Sequence, residues 1–280
     1  MVAAGEPRLQ RVVLIGAGRM GSAMARGWLG DPSSAGIGSL SVVEPLPGQD
    51  LETAGRAGVI RLNPEPATAD ILVLAIKPQG FGAAARELRA WAGPETLIIS
   101  IMAGVTIASI QQALGCEKVA RAMPNTPGAI GMGATAFSLS AACSDADAAA
   151  TVALLEPLGL VAGPLDEGLM NAVTAVSGSG PAYVFLLVEA LAAAGRAAGL
   201  DEAIAESLAR ETVIGAGALL SESAERPSEL RQQVTSPGGT TAAALNVLNA
   251  PGGVPDLIGR AVQAAVKRGE ELARQTGQDG

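Results

Sequence analysis

Short apolar runs alternate with helical segments along the first half of the chain. RVVLI at residues 11–15 is apolar almost throughout, which is typical of a strand buried on both faces of a sheet. We interpret as strands the runs at residues 11–15, 39–44, 70–76, 96–101, 118–122 and 133–138. Helical segments lie between them, at residues 22–29, 49–57, 82–91 and 107–114. This alternation predicts a parallel, doubly wound α/β sheet.

After about residue 160 the strand pattern gives way to helices. The predicted helices span residues 168–175, 181–198, 201–222, 227–233, 240–250 and 254–275. Pro181 near a helix start, Gly199 just past its end and Asp201 as the next N-cap mark the boundaries. The segment 181–198 is apolar nearly all round, so we expect it to be buried on most sides, with a second subunit against it.

Charge and hydropathy narrow the possible partners. The 280 residues carry a net charge of −8, whereas nucleic-acid binding needs basic patches, so we expect no nucleic acid partner. No uninterrupted apolar run approaches the roughly 18 residues of a membrane helix, and we expect no membrane. The longest run, 183–195, contains Glu189. Because the first ten residues contain no long apolar run and a strand follows at once, we expect no signal peptide and a cytoplasmic protein.

The chain has no histidine and two cysteines, Cys116 and Cys143. A Ser-His-Asp triad, a Cys-His pair and a His-ligated metal site are therefore impossible within one chain. Two thiols so far apart in sequence match neither a zinc motif nor a disulfide framework. We interpret them as small buried residues in a reducing cytoplasm, and we expect no metal site.

The strongest motif is GAGRMG at residues 16–21. It follows a predicted strand and opens a predicted helix, which is the context of a dinucleotide-binding turn. Gly16 permits the tight turn, Gly18 lets the backbone approach a pyrophosphate, and Gly21 lets the helix pack close to the strand. The helix N-terminus would then face the phosphates. The alternative is a structural glycine-rich turn.

Two further candidates lie where strands end. An acid at the position of Glu44 accepts hydrogen bonds from ribose hydroxyls and repels a 2′-phosphate, which favours NAD(H). The alternative is that Glu44 faces solvent and Pro45 merely ends the strand. Lys77 closes the third strand and is a candidate for the ribose or the nicotinamide region, or else is a solvated lysine. The next two strand ends, 100–104 and 123–127, are expected to line the nicotinamide pocket.

Two glycine-rich helix starts stand out in the helical half. SGSGP at 177–181 is a possible anion nest, but small residues that permit close helix packing are the favoured interpretation. SPGGTT at 236–241 brings hydroxyls and free N–H groups to a helix N-terminus, which suits a carboxylate. The alternative there is Thr240 as a plain N-cap.

Together these segments resemble the pyrroline-5-carboxylate reductases, the last enzymes of proline biosynthesis. The resemblance covers nearly the whole chain and runs in order through GAGRMG, AIKPQ, SIMAGVTI, RAMPNTP, AVSGSGPAY and VTSPGGTTAAAL. The last two blocks are specific to the family. The resemblance implies a Rossmann domain at 1–163 and an all-α dimerisation domain at 164–280. It also implies dimers that often assemble into decamers, with each active site between the Rossmann domain of one subunit and the helical domain of its partner.

The implied reaction is hydride transfer from NADPH or NADH to C5 of L-1-pyrroline-5-carboxylate, which gives L-proline. The resemblance assigns the pyrophosphate to Gly16, Ala17, Gly18, Arg19 and Met20. It assigns the ribose and nicotinamide side to Asn63, Ala75, Lys77 and Ala103, and a further cofactor position to Gln233. It assigns the substrate to Ser236, Thr240, Thr241 and Glu167, with Thr241 as the catalytic residue.

The chain departs from the family pattern at two positions. Many relatives prefer NADPH and carry Ser or Arg after the second strand, where this chain has Glu44 and Pro45. The family pattern therefore indicates NADPH, whereas Glu44 favours NADH. Many relatives also have His-Pro where this chain has Arg226 and Pro227, so a histidine there is not essential.

Two alternatives from other classes share the nucleotide-binding turn. A β-hydroxyacid dehydrogenase would use a lysine on the helix that joins the domains, but no lysine lies between Lys118 and Lys267. A non-catalytic nicotinamide-binding sensor would keep GAGRMG yet would have no need of SPGGTT.

Overall fold

A computed structural model describes residues 9–33 and 35–276. These residues form an eight-stranded sheet in the order β3-β2-β1-β4-β5-β6-β7-β8. The strands are β1 Gln10–Ile15, β2 Ile37–Val43, β3 Arg61–Leu62, β4 Ile71–Leu74, β5 Leu97–Ser100, β6 Val119–Met123, β7 Gly133–Leu139 and β8 Gly159–Ala162. The strand order reverses direction between β1 and β4, which is where ligands bind in doubly wound sheets.

Helices connect the strands and then continue alone. Around the sheet lie α1 Arg19–Gly30, α2 Gln49–Arg56, α3 Pro78–Leu88, α4 Ile107–Leu114 and α5 Asp145–Leu155. The later helices are α6 Met170–Val173, α7 Gly180–Ala197, α8 Glu202–Glu222, α9 Pro227–Gln233, α10 Thr240–Leu248 and α11 Val254–Thr276. This order of strands and helices confirms the predicted fold class, an α/β part followed by helices.

Three predicted helix boundaries are confirmed by local geometry. Gly199 has a φ of 100°, the left-handed conformation that commonly ends a helix. The side chain of Asp201 accepts a hydrogen bond from the N–H of Ala203 at 3.0 Å, so it caps α8. Pro181 lies in the first turn of α7, where its missing N–H costs nothing.

The last two strands run against the rest of the sheet, which the parallel prediction did not include. β7 pairs antiparallel with β6, and β8 pairs parallel with β7. The connection from β6 to β7 holds only a 3-10 turn at Thr126–Ile130, which is too short for a parallel crossover. The α5 crossover then joins β7 and β8 in parallel.

Successive side chains of β1 enter two separate apolar clusters, because strand side chains alternate between faces. Val12 and Leu14 pack on one face with Trp28 of α1, in a cluster that also takes in α2 and α5. Val13 and Ile15 pack on the other face with residues of α3 and α4. Each fully buried aliphatic side chain in such a cluster contributes about 1.5–3 kcal/mol. The sheet is therefore a stable frame for the groups at the strand ends.

The described chain divides into two compact units. One extends to Gly178 and includes the chain from Ala265 onwards, and the other is Ser179–Ala264. Residues 164–178 group with the sheet because Glu167 pairs with Arg121 and because Asn125 donates to Ser177.

α7 is exposed along most of its length within a single chain, so the expected covering of this helix is left to the second subunit. α7 and α8 pack through small residues: a Cβ added to Gly195 would lie 3.3 Å from the Cβ of Ala205. Large apolar side chains stay uncovered, including Phe185 at 61% and Leu208 at 55% exposure. Uncovered apolar side chains of this size on two packed helices indicate an interaction surface.

One helical stretch, residues 167–197, is long and apolar enough to cross a membrane by length and composition. Its mean hydropathy is 1.4 over the most apolar window. The expectation of no membrane helix considered only uninterrupted apolar runs. In the structure, one helical stretch contains α6, a π-helical turn at Thr174–Gly178 and α7. Length and hydropathy alone do not separate a membrane helix from one covered by another protein surface.

A buried hydrogen bond between α1 and α5 gives a test of the fold. The indole Nε1 of Trp28 donates to the carbonyl of Leu154 at 2.9 Å, and Trp28 is 1% exposed. Trp28→Phe leaves this carbonyl without its donor, so we expect the free energy of unfolding to fall by about 1–3 kcal/mol. The measurement is urea denaturation followed by circular dichroism.

Trp91→Phe is the matched control for that change. Trp91 is also buried, but its indole N–H has no hydrogen-bond partner among the described residues. Trp91→Phe should therefore lower the free energy of unfolding by less than Trp28→Phe does. Equal losses in the two variants would contradict the assigned role of the Trp28 hydrogen bond.

Candidate functional site

The glycine-rich turn lies at the carboxyl end of β1, where the strand order reverses. Gly16 has a φ of 89°, and a Cβ there would lie 2.8 Å from the carbonyl oxygen of Ala75. A Cβ on Gly21 would overlap the carbonyl oxygen of Gly16. Both positions therefore require glycine, because the turn, α1 and β4 approach one another so closely.

Gly18 differs from the other two glycines of the turn. A Cβ there would meet nothing within 4 Å, so the space beside it is open. Gly18 is also the N-cap of α1, and no side chain caps this helix. Free N–H groups of the first turn, beside Arg19 and Met20, are therefore available to an anion. A dinucleotide pyrophosphate fits this open helix start.

Glu44 lies against the same turn. Its Oε2 accepts a hydrogen bond from the N–H of Ala17 at 2.7 Å, and its Oε1 accepts one from Leu46 at 3.1 Å. The alternative of a solvent-facing Glu44 is therefore wrong. A carboxylate held here lies where an adenosine ribose is bound in such folds.

Asn63 fixes the backbone of Glu44. Its Oδ1 accepts from the N–H of Glu44 at 2.8 Å, and its Nδ2 donates to the Glu44 carbonyl at 3.0 Å. Asn63 reaches this position with a φ of 48°, which asparagine tolerates better than most residues. The structure thus brings together Asn63, Glu44 and the glycine-rich turn, three groups that lie apart in the sequence.

The remaining predicted cofactor residues of the sheet unit lie on strand ends at this same edge. Ala75 follows β4, and its N–H donates to the carbonyl of Ile15 at 2.8 Å. Lys77 is exposed and is the N-cap residue of α3. Ala103 is exposed in the loop between β5 and α4.

Glu167 lies beside that loop rather than free in solution. Its Oε1 accepts a hydrogen bond from the N–H of Ile107 at 2.8 Å and one from Nη1 of Arg121 at 3.0 Å. The Arg121 side chain is 7% exposed, on the central residue of β6. Arg121 is not among the predicted site residues, although one charged residue in an otherwise apolar strand indicates a buried partner.

The strand end at 123–127, which is predicted to line the nicotinamide pocket, is held by a cluster of hydrogen bonds. Asn125 accepts from the N–H of Ala134 at 2.9 Å and donates to the hydroxyl of Ser177 at 3.2 Å. The hydroxyl of Ser177 in turn donates to the carbonyl of Ala134 at 3.1 Å. Ser177 therefore has a structural role through these hydrogen bonds, while the close helix packing favoured for SGSGP stays a prediction.

The predicted substrate segment lies in the helical unit, at the start of α10. The N-cap residue is Gly239, and no side chain caps the helix, so the alternative of Thr240 as N-cap is wrong. Thr240 and Thr241 are the first two residues of α10, and Thr241 is half-buried. Ser236 precedes them, and its carbonyl accepts from the N–H of Gly239 at 3.0 Å. This helix start presents hydroxyls and uncapped N–H groups, which suit a carboxylate.

Gln233 ends α9, and its side-chain amide donates to Glu225 at 2.7 Å. Its assigned cofactor role would therefore need this hydrogen bond to be exchanged. The side chain of Gln233 is exposed, so exchanging this hydrogen bond for another costs little free energy.

A cavity of about 480 Å³ lies at the opposite, amino-terminal edge of the sheet, between Arg11, Asp70 and Lys118. The ammonium of Lys118 lies 3.1 Å from Glu95 and 3.8 Å from Asp147. A hydrogen bond to Glu95 and the charge of Asp147 raise the pKa of Lys118. The cavity is thus separate from the edge that carries the glycine-rich turn.

The sheet, its switch point and the turn define a dinucleotide-binding α/β protein. Two family models agree with this class. One, described as NADP oxidoreductase, coenzyme F420-dependent, matches residues 11–104. The other, described as pyrroline-5-carboxylate reductase dimerisation, matches residues 167–272.

Individual relatives extend the match to the whole chain. The pyrroline-5-carboxylate reductase of Pseudomonas aeruginosa is 39% identical over 96% of this chain and 98% of that protein. The structure of a pyrroline-5-carboxylate reductase from Coxiella burnetii has a TM-score of 0.84 and 31% identity over 95% of this chain and 99% of that one. A Plasmodium falciparum pyrroline carboxylate reductase with NADP bound has a TM-score of 0.74 and 26% identity, over 95% and 99% of the two chains. This chain belongs to the pyrroline-5-carboxylate reductase family.

The dimerisation match explains the exposed apolar face of the helical unit. It covers α7 and α8, whose large apolar side chains are uncovered in a single chain. Self-association of this unit buries such a surface.

Gly18 and Gly21 give a paired test of the turn. Gly18→Ala places a methyl group in open space, so the free energy of unfolding should change by less than about 1 kcal/mol. Cofactor affinity should fall at least about tenfold, because the methyl group blocks close approach of the pyrophosphate. Gly21→Ala should instead lower the unfolding free energy by about 1–3 kcal/mol through overpacking.

Fluorescence titration with NADH and chemical denaturation measure the two effects. Gly82→Ala is the control, because a Cβ there also meets open space but on α3 and not in the glycine-rich turn. Unchanged NADH affinity in Gly18→Ala would show that the pyrophosphate does not bind here.

Proposed function

We propose that this chain reduces L-1-pyrroline-5-carboxylate to L-proline with NAD(P)H. The observation that carries the proposal is an uncapped α10 start bearing Thr240 and Thr241, in a chain that also has a complete dinucleotide turn. Family membership supports the same reaction. Reduced nicotinamide supplies the hydride when it is bound, and the chain's own residues bind and orient both reactants.

The N-terminus of α10 is proposed to bind the substrate carboxylate. Its first N–H groups carry the positive end of the helix dipole, and no side chain of the described residues neutralises it. The hydroxyls of Ser236 and Thr240 are suitable donors to a carboxylate oxygen. Fixing the carboxylate in this way selects the face of the ring that receives the hydride.

Thr241 is proposed to orient the ring nitrogen. A hydroxyl both donates and accepts, so Thr241 can follow the nitrogen as it changes from imine to amine. The chain has no histidine to act as a general acid. The imine is basic enough to take its proton from water before it binds, so no histidine is required.

We further propose that NADH is the preferred cofactor of this chain. The Glu44 carboxylate lies 2.7 Å from the N–H of Ala17, beside the expected ribose position, and it would repel a 2′-phosphate. One matching family model is described as an NADP oxidoreductase, and the Plasmodium falciparum relative has NADP bound. Glu44 is the residue by which we expect this chain to differ from those proteins in its cofactor.

The assembly is proposed to be a homodimer, with the decamer as its higher form, in the cytoplasm. The exposed apolar side chains of α7 and α8 favour a second copy as the covering surface over a membrane, because the matched family model is one of dimerisation. A net charge of −8 argues against a nucleic acid partner.

Thr241→Ala tests the proposed substrate contact. Loss of one hydrogen bond to a charged group should lower kcat about 10- to 100-fold, with little change in NADH affinity. Thr241→Ser keeps the hydroxyl and should recover most of the turnover. Initial rates at the nicotinamide absorbance measure both variants, and wild-type turnover in Thr241→Ala would remove Thr241 from the mechanism.

Glu44→Ser tests the cofactor preference. Removal of the carboxylate should raise the ratio of kcat/KM for NADPH to that for NADH by about 10- to 100-fold. Glu52→Gln is the control, because Glu52 forms an exposed ion pair with Arg56 on α2. An unchanged ratio in Glu44→Ser would show that Glu44 does not face the 2′ position.

A further inference from the structure

Glu167 links three segments that lie far apart in the sequence. Its Oε1 accepts from the first N–H of α4, at Ile107, and from the guanidinium of Arg121 on β6. The Arg121 side chain is 7% exposed and that of Glu167 is 32% exposed. A guanidinium buried to this extent requires a partner, so the carboxylate has a defined position.

This contact also determines where α4 begins. The first N–H groups of a helix have no partner within the helix. In α4 the Thr106 side chain accepts from Ser109, and Glu167 accepts from Ile107. A carboxylate is the favoured group at this positive helix end. The start of α4 is therefore held from two sides.

The loop between β5 and α4 is short and fixed at both ends. It spans 101–106, and its first N–H, at Ile101, donates to the carbonyl of Leu74 at 3.0 Å. The loop ends at Thr106, and the N–H of the next residue, Ile107, donates to Glu167. The loop carries Ala103, the exposed position assigned to the nicotinamide side of the cofactor. Gly104 turns the loop with a φ of 77°.

We propose that Glu167 is a positioning residue for hydride transfer and does not bind the substrate itself. It fixes the loop 101–106 through Ile107, with Arg121 holding its carboxylate in place. This inference rests on the proposed reductase function. Hydride transfer is sensitive to small displacements, because the two carbons react only at close approach. A loosened loop therefore lowers turnover more than it lowers binding.

Three substitutions separate positioning from substrate binding. Glu167→Ala removes both contacts, and we expect kcat to fall about 10- to 100-fold while KM for the imino acid changes less than about threefold. Glu167→Gln keeps an oxygen for the N–H of Ile107, so its kcat should lie between those of wild type and Glu167→Ala. The double variant with Arg121→Met should lose little more than Glu167→Ala, because both changes break one unit.

Hydrogen exchange gives a readout that does not depend on activity. Exchange followed by mass spectrometry should show faster exchange over 101–107 in Glu167→Ala, with the β1 segment unchanged. Glu95→Gln is the control, because Glu95 also pairs with a cation, Lys118, but at the amino-terminal edge of the sheet. It should leave kcat and exchange over 101–107 at wild-type values.

Each outcome has a distinct meaning. A raised KM at unchanged kcat, equal in Glu167→Gln and Glu167→Ala, would overturn the proposal in favour of a direct substrate ligand. Unchanged kcat and unchanged exchange in both variants would also overturn it. If Glu167→Ala does not fold, Glu167→Gln is sufficient, since a shift in its kcat or its exchange decides the matter. An inactive wild type would instead reject the reductase function.

Discussion

The close approach of the β1 turn to β4 is the constraint on which the rest of the site depends. Gly16 and Gly21 have no room for a Cβ, because the carbonyl oxygens of Ala75 and Gly16 lie against them. This packing places the start of α1 over the edge of the sheet at its switch point. The open space at Gly18 and the uncapped helix start then form a place for a pyrophosphate.

Two carboxylates at this edge are held by backbone N–H groups. Glu44 accepts from Ala17 in the glycine-rich turn, and Glu167 accepts from Ile107 at the start of α4. A carboxylate that receives such hydrogen bonds has a fixed direction as well as a charge. We propose that Glu44 affects which cofactor is bound and that Glu167 holds the loop 101–106, which carries Ala103. In a chain without histidine, the proposed reaction depends on how such groups position the reactants.

Much of the fold could be predicted because its rules are local. The apolar runs that became β1 and β4 are continuous, and Asp201 caps α8 as its type and position indicated. α5 was missed because DADAAATVALL has no apolar period, and its start depends on a capping box between Ser144 and Asp147. The reversal of β7 was missed because strand direction follows from the length of a connection and not from the strand itself.

The candidate site could be predicted from the sequence only where a single local motif forms it. The glycine-rich turn was found from its spacing, whereas the pairing of Arg121 with Glu167 joins residues that only the folded sheet brings together. The apolar pattern of α7 predicted a covered helix, yet its large side chains are exposed in a single chain. A helix covered by a second subunit carries the same apolar pattern as one buried in its own core.

The most direct measurement is the initial rate of L-1-pyrroline-5-carboxylate reduction, followed at the nicotinamide absorbance with product analysis. We expect one L-proline to form for each NAD(P)H oxidised. A folded protein that binds NADH yet forms no L-proline with either cofactor would contradict it.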